Sequence, residues 1–126
     1  MLRTENISYS IGKKEILKNI SIDFLPGEFN MILGPNGSGK STFLKVFSGE
    51  LKPVKGNVFI DDKKVDTIKK EALAKVRAVM TQQPELGFPL AVEEVVMMGR
   101  YPHFDFNPTH KDTAICLEAI DKMQVQ

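Results

Sequence analysis

Gly34-Pro35-Asn36-Gly37-Ser38-Gly39-Lys40-Ser41 fits the phosphate-loop pattern G-x-x-x-x-G-K-[ST] at every fixed position. Its surroundings suit it. Glu28-Phe29-Asn30-Met31-Ile32-Leu33 reads as a strand entering the loop, and Ser41-Thr42-Phe43-Leu44-Lys45-Val46-Phe47 as a helix leaving it. The alternative is a Gly-rich turn ahead of an amphipathic helix, and the strand–loop–helix setting argues against it. Glycines at 34, 37 and 39 allow backbone angles closed to residues with a Cβ, so successive N–H groups can turn inward on an anion. The helix start adds unpaired N–H groups and the positive end of its dipole. Lys40 brings a mobile charge to β- and γ-phosphates, and the Ser41 hydroxyl suits Mg²⁺. The expected phosphate contacts are Asn36, Gly37, Ser38, Gly39, Lys40, Ser41 and Thr42.

The text around the loop resembles the ATPase subunit of an ATP-binding cassette (ABC) transporter. The resemblance begins with Gly34 to Thr42 and extends both ways. Upstream lie Ile7-Ser8-Tyr9 and Ile16-Leu17-Lys18-Asn19-Ile20-Ser21. Downstream lie Gly49-Glu50-Leu51-Lys52-Pro53, Gly56-Asn57-Val58-Phe59-Ile60 and Arg77-Ala78-Val79-Met80-Thr81-Gln82. The run Phe88-Pro89, Val92-Glu93-Glu94-Val95-Val96 and Met98-Gly99-Arg100-Tyr101-Pro102-His103 resembles the heme-importer branch, close to the ferric-siderophore and cobalamin importers.

The resemblance implies an α/β fold: part of a P-loop core, an antiparallel β subdomain and the start of a helical subdomain. It implies a phosphate loop at 34–41, a glutamine loop at about 82–90 and a helical subdomain beginning at about 91–126. Tyr9 matches the aromatic that stacks on adenine. Gln82, rather than its neighbour Gln83, matches the glutamine that touches Mg²⁺ and the attacking water, so Lys40 and Gln82 are the expected catalytic residues. The implied ligands are ATP and Mg²⁺. The implied partners are transmembrane permease subunits and a second copy of the ATPase, with heme met only indirectly, at the cytoplasmic face of the membrane. The segment from Gln82 to Phe104, with Phe88, Met97, Met98, Arg100 and Tyr101, is the expected docking stretch for the membrane subunit.

The family's signature loop, its second acidic strand end and its switch histidine have no match here. The chain reads as the N-terminal portion of such a subunit, not expected to be catalytically competent alone. Val58-Phe59-Ile60-Asp61-Asp62 has the look of an acidic strand end, but follows the phosphate loop too soon. Phe47-Ser48-Gly49-Glu50 loosely resembles the signature loop, but Gly49 reads as a helix stop. Two other classes stay open: a non-catalytic nucleotide-binding or assembly module, and another P-loop enzyme such as a small kinase. A kinase needs arginines in a lid, and Arg3, Arg77 and Arg100 form no such cluster.

Composition narrows the rest. With 126 residues the chain is the size of one domain. A net charge of +1, with its lysine pairs spread out, gives no basis for nucleic-acid binding. No apolar run is long enough to span a bilayer, and the first residues show no secretory pattern. The single cysteine, Cys116, excludes an internal disulfide and reads as a buried hydrophobe. His103 and His110 lack partners at metal-ligand spacing.

Period and punctuation predict strands near 2–9 and 15–24 about a Gly12-Lys13-Lys14 turn. Ile20, Ile22 and Phe24 should share a face. A turn at Pro26-Gly27, a strand near 57–60, a turn at Asp61-Asp62, a helix over 69–75 and a strand over 76–80 follow. Residues 92–98 and 109–123 predict helices. The first lacks a capping hydroxyl at Ala91, which should weaken its start by about 1 kcal/mol. The second can be capped by Asn107-Pro108 or by a Thr109/Asp112 box, and it turns Cys116, Ala119, Ile120 and Met123 to one side.

Overall fold

The computed structural model describes residues 1–80, 87 and 89–124. They fall into two compact units, Met1–Leu73 and Ala74–Gln126.

The first unit is built on an antiparallel sheet. Strand β1 (Leu2–Ile11) and strand β2 (Lys14–Phe24) form a hairpin, turned at Gly12 with φ 58°. Strand β3 (Lys55–Ile60) pairs with the other side of β1, and the two-residue β4 (Lys63–Lys64) pairs with β3. The order is therefore β2-β1-β3-β4. Asp61 and Asp62 make the β3–β4 turn at φ 46° and 63°, a conformation that short polar side chains tolerate. Val58-Phe59-Ile60-Asp61-Asp62 is thus a strand and turn of this sheet.

Helix α1 (Lys40–Phe47) covers one face of the sheet. Phe43, Val46 and Phe47 sit at i, i+3 and i+4, the spacing of one helix side. Phe43 and Val46 are buried with Ile7, Leu17, Val58, Val65 and Leu73 in a single core. Phe47 packs between Phe43 and Phe24, with ring centroids 5.5 and 4.7 Å away. Gly49 ends α1 at φ 77°, and the Glu50 and Leu51 N–H groups both return to the Lys45 carbonyl. A 3₁₀ turn (Val65–Thr67) carries Val65 into the core. Helix α2 (Lys70–Val76) follows, supplying Leu73.

Two expected strands are not formed. Residues 28–33 and 77–80 belong to no strand, and no described strand pairs with either. A strand is defined by its neighbour, because its N–H and C=O groups need partners. Along 28–33 the apolar pattern is present, and no partner strand is found among the described residues. Phe29, Met31 and Leu33 are 88, 66 and 80 % exposed.

The second unit is helical. Helix α3 (Val92–Met98) and helix α4 (His110–Met123) occur where the sequence places helices, and a 3₁₀ turn (Tyr101–His103) outside those expectations comes between them in the chain. Ala91 offers no side-chain acceptor, but its own N–H donates to Glu94 Oε2 at 2.8 Å, so half of a capping box survives. At α4 the Thr109/Asp112 box forms, not a cap by Asn107. Cys116 is buried, whereas Met123 at the far end of the same stripe is 74 % exposed.

Candidate phosphate-binding site

The loop from Gly34 to Gly39 leads into α1, as its sequence demands. Gly37 and Gly39 hold φ 80° and 92°, where a side chain would be strained. Gly39 is also crowded. A Cβ there would stand 3.1 Å from Ile16 Cγ2 and 3.3 Å from Leu17 Cδ2, both on β2. The loop is therefore seated on the sheet by a residue that must be glycine for two reasons.

Gly39 caps α1 with no side-chain hydrogen bond. The first helical bond runs from the Phe43 N–H to the Gly39 carbonyl at 2.8 Å. The N–H groups of Lys40, Ser41 and Thr42 therefore precede the helical ladder and are available to an anion. The Lys40 ammonium donates to the carbonyls of Gly34 and Pro35, at 2.7 and 2.8 Å. It thereby ties the α1 start back to the first two residues of the loop. The Ser38 N–H closes a turn onto Pro35 O at 3.2 Å. A groove of about 330 Å³ lies beside the loop, lined by Leu17, Ile20, Ile32 and Leu33 along its apolar side. Left-handed glycines, unladdered N–H groups and one flexible ammonium fit a polyphosphate, and the exposed Ser41 hydroxyl in the same turn fits a divalent cation beside it.

Tyr9 lies on β1 directly opposite Leu17, the residue that abuts Gly39. Its ring is half-buried against the core, one strand away from the loop. The sequence pattern gave no sign that Ile16 and Leu17 seat the loop, because that contact depends on the hairpin register. Gln82, and with it most of the expected glutamine loop including Phe88, lies outside the described residues.

Arg100, which lies in the expected docking stretch, is engaged within the chain. Its Nε and one terminal nitrogen donate to Asp112 Oδ1 at 2.9 and 2.8 Å. Asp112 is 4 % exposed, and its other oxygen accepts from the Thr109 hydroxyl and N–H at 2.6 and 2.9 Å. The Thr109 bonds first, then the guanidinium, hold the Asp112 carboxyl down at about 2. Arg100 is thus a clasp between the 3₁₀ turn and the start of α4. The capping half of this cluster is legible as a sequence box, and the pairing across twelve residues is not.

Comparison with known proteins agrees in sequence and in fold. The family model for ABC transporters matches residues 17–126. The hemin import ATP-binding protein HmuV of Bordetella avium strain 197N is 41% identical over 119 residues, 94% of this chain and 45% of that protein. HmuV of Pseudomonas aeruginosa PAO1 is 42% identical over 120 residues, 95% of this chain and 46% of that protein. The chain therefore spans a little under half the length of the curated relatives it matches. Among solved structures, the dimeric ATP-binding cassette MJ0796 bound to ADP and Pi superposes with a TM-score of 0.80 at 28% identity, over all of this chain and 58% of that one. A nucleotide-free cassette superposes with a TM-score of 0.70 at 30% identity, over 91% of this chain and 45% of that one.

Proposed function

Because the chain belongs to the ABC transporter family, we propose that it carries the ATP–Mg²⁺ site of an importer ATPase whose cargo is heme. The observation that carries this reading is the loop itself. Gly37 and Gly39 are left-handed, and three N–H groups precede the α1 ladder.

In this reading Asn36, Gly37, Ser38, Gly39, Lys40, Ser41 and Thr42 wrap the phosphates with backbone N–H groups. Lys40 leaves the Gly34 and Pro35 carbonyls and pairs with the β- and γ-phosphates. That exchange gives the site a built-in on-state, since the ammonium trades two neutral acceptors for charged ones. Tyr9 stacks on adenine. Ser41 and Gln82 hold Mg²⁺, which when bound neutralises charge developing on the β- and γ-oxygens. Lys40 and Gln82 are the residues of this chain that serve hydrolysis.

The cargo assignment rests on the similarity to hemin import proteins along most of this chain. Heme passes through membrane permease subunits, so this chain touches it only indirectly. Two copies of the ATPase pair around nucleotide at the cytoplasmic face of the membrane. No helix among the described residues is long and apolar enough to cross a membrane, which suits a peripheral subunit. No nucleic-acid partner is involved.

The test is complementation. A bacterium lacking its heme-importer ATPase is given the full-length protein and grown with hemin, a ferric siderophore or cobalamin as the limiting nutrient. Growth on hemin that is lost with Lys40→Ala supports the proposal. Rescue confined to the siderophore or cobalamin reassigns the cargo, and rescue that survives Lys40→Ala overturns the role of the loop.

A further inference from the structure

The β1–β2 hairpin contains a device that its sequence states twice, Asn6-Ile7-Ser8 and Asn19-Ile20-Ser21. Asn6 and Asn19 sit on opposite strands at φ 49° and 47°. The Asn6 N–H donates to Ser21 Oγ at 2.8 Å, and the Asn19 N–H donates to Ser8 Oγ at 3.0 Å. The Ser21 hydroxyl in turn donates to Asn6 Oδ1 at 3.2 Å. Each bulged asparagine is thus tied to the serine of the other strand, with near-twofold symmetry.

The bulges change which face the next residues occupy. From Thr4 to Ile7, β1 advances three residues while β2 moves two, from Ile22 to Ile20. From Ile7 to Tyr9, β1 advances two while β2 moves three, from Ile20 to Leu17. The first bulge is compensated by the second. A regular strand running on from Thr4 would send Tyr9 to the opposite face. Instead Thr4 and Ile7, three apart, are both buried, at 1 and 0 % exposure, and Tyr9 joins them on the core side. Leu17 is brought inward in the same way, three residues from Ile20. A third strand fixes the arrangement. Gly56 on β3 holds φ 80°, and a Cβ there would overlap the carbonyls of Glu5 and Asn6.

We propose that Asn6 and Asn19, with Ser21 and Ser8, are positioning residues for the nucleotide base. Their crossed bulges place Tyr9 on the same face as Leu17, the side chain that seats Gly39 of the phosphate loop. This rests on the reading of Tyr9 as the adenine platform. It adds that the platform's orientation relative to the phosphate site is set by a phase switch in the strand, not by contacts of the ring.

The test compares affinity for ATP with affinity for inorganic tripolyphosphate, by calorimetry on the full-length protein. Tyr9→Ala should lower the ratio of the two by roughly 5- to 150-fold, the range that loss of one stacked base contact covers. Asn6→Val, which disfavours the left-handed angle, should lower the ratio at least about 5-fold while tripolyphosphate binding holds, which also shows that the loop is folded. Asn6→Gly, which keeps the angle open, should restore the ratio to within about twofold of the parent. An unchanged ratio in Tyr9→Ala removes the platform and this proposal with it. A lowered ratio in Tyr9→Ala with an unchanged ratio in Asn6→Val overturns the positioning role alone. Equal loss of both ligands in Asn6→Val, or no rescue by Asn6→Gly, makes the bulges plain fold elements and also overturns it.

Discussion

Gly39 answers to two constraints at once, and each has its own consequence for substitution. Its φ of 92° excludes side chains on backbone grounds, and Ile16 and Leu17 exclude them on steric grounds. The neighbour that would have to yield includes a backbone atom, Ile16 O at 3.2 Å from the Cβ position. Gly39→Val should therefore destabilise the first unit by about 1–3 kcal/mol and weaken ATP binding in the remaining folded fraction. Urea unfolding and nucleotide titration of the same variant check the two effects separately. Gly37 has the same kind of backbone angle, but no atom lies near its Cβ position. Gly37→Ala should cost less stability than Gly39→Val, a contrast that motif matching alone does not supply.

At the scale of elements, the α3 and α4 starts differ in how completely they are capped. Glu94 closes one half of the box at α3 through the Ala91 N–H. Ala91→Ser supplies the other half and should raise stability by about 1 kcal/mol, read in thermal melts. At α4 the cap carries a charge. The Asp112 carboxyl is lowered from an ordinary 3.8 to about 2 on folding. A depressed carboxylate stabilises the fold fully above its unfolded value, and the contribution fades as pH falls from about 4 toward 2. Asp112→Asn should flatten the acid limb of stability in that window. An unaltered acid limb would mean that the Arg100–Thr109–Asp112 cluster does not form in solution. Charge reversal at Arg100 should act first through this clasp, lowering helix content before it alters any partner contact.

The elements also show where sequence stops being sufficient. Local signals placed the hairpin, the loop, α1, the Asp61–Asp62 turn and the two later helices, because caps, turns and apolar period are properties of consecutive residues. Residues 28–33 and 77–80 carry strand-like composition, yet pairing is a relation to another segment, and no described strand answers them. The same distinction holds at the site. The glycines and Lys40 are readable in the motif. That Leu17 seats Gly39, and that Tyr9 faces the core, follow only from a register shifted twice by Asn6 and Asn19.

For the molecule as a whole, the uncovered run from Phe29 to Leu33 is the dominant liability. Exposed apolar side chains on a segment that no described strand pairs form a template for another chain. The purified 126-residue chain should self-associate, giving a concentration-dependent mass in sedimentation. A monodisperse monomer with cooperative thermal unfolding would contradict this.

We propose that the Gly34–Ser41 loop is a nucleotide phosphate site whose Lys40 ammonium moves from loop carbonyls to phosphate. Isothermal calorimetry of ATP–Mg²⁺ against the purified chain and its Lys40→Ala variant tests it most directly. Saturable binding by the parent, abolished in Lys40→Ala, is the predicted result. Equal affinity in the two proteins would contradict the assignment of the loop.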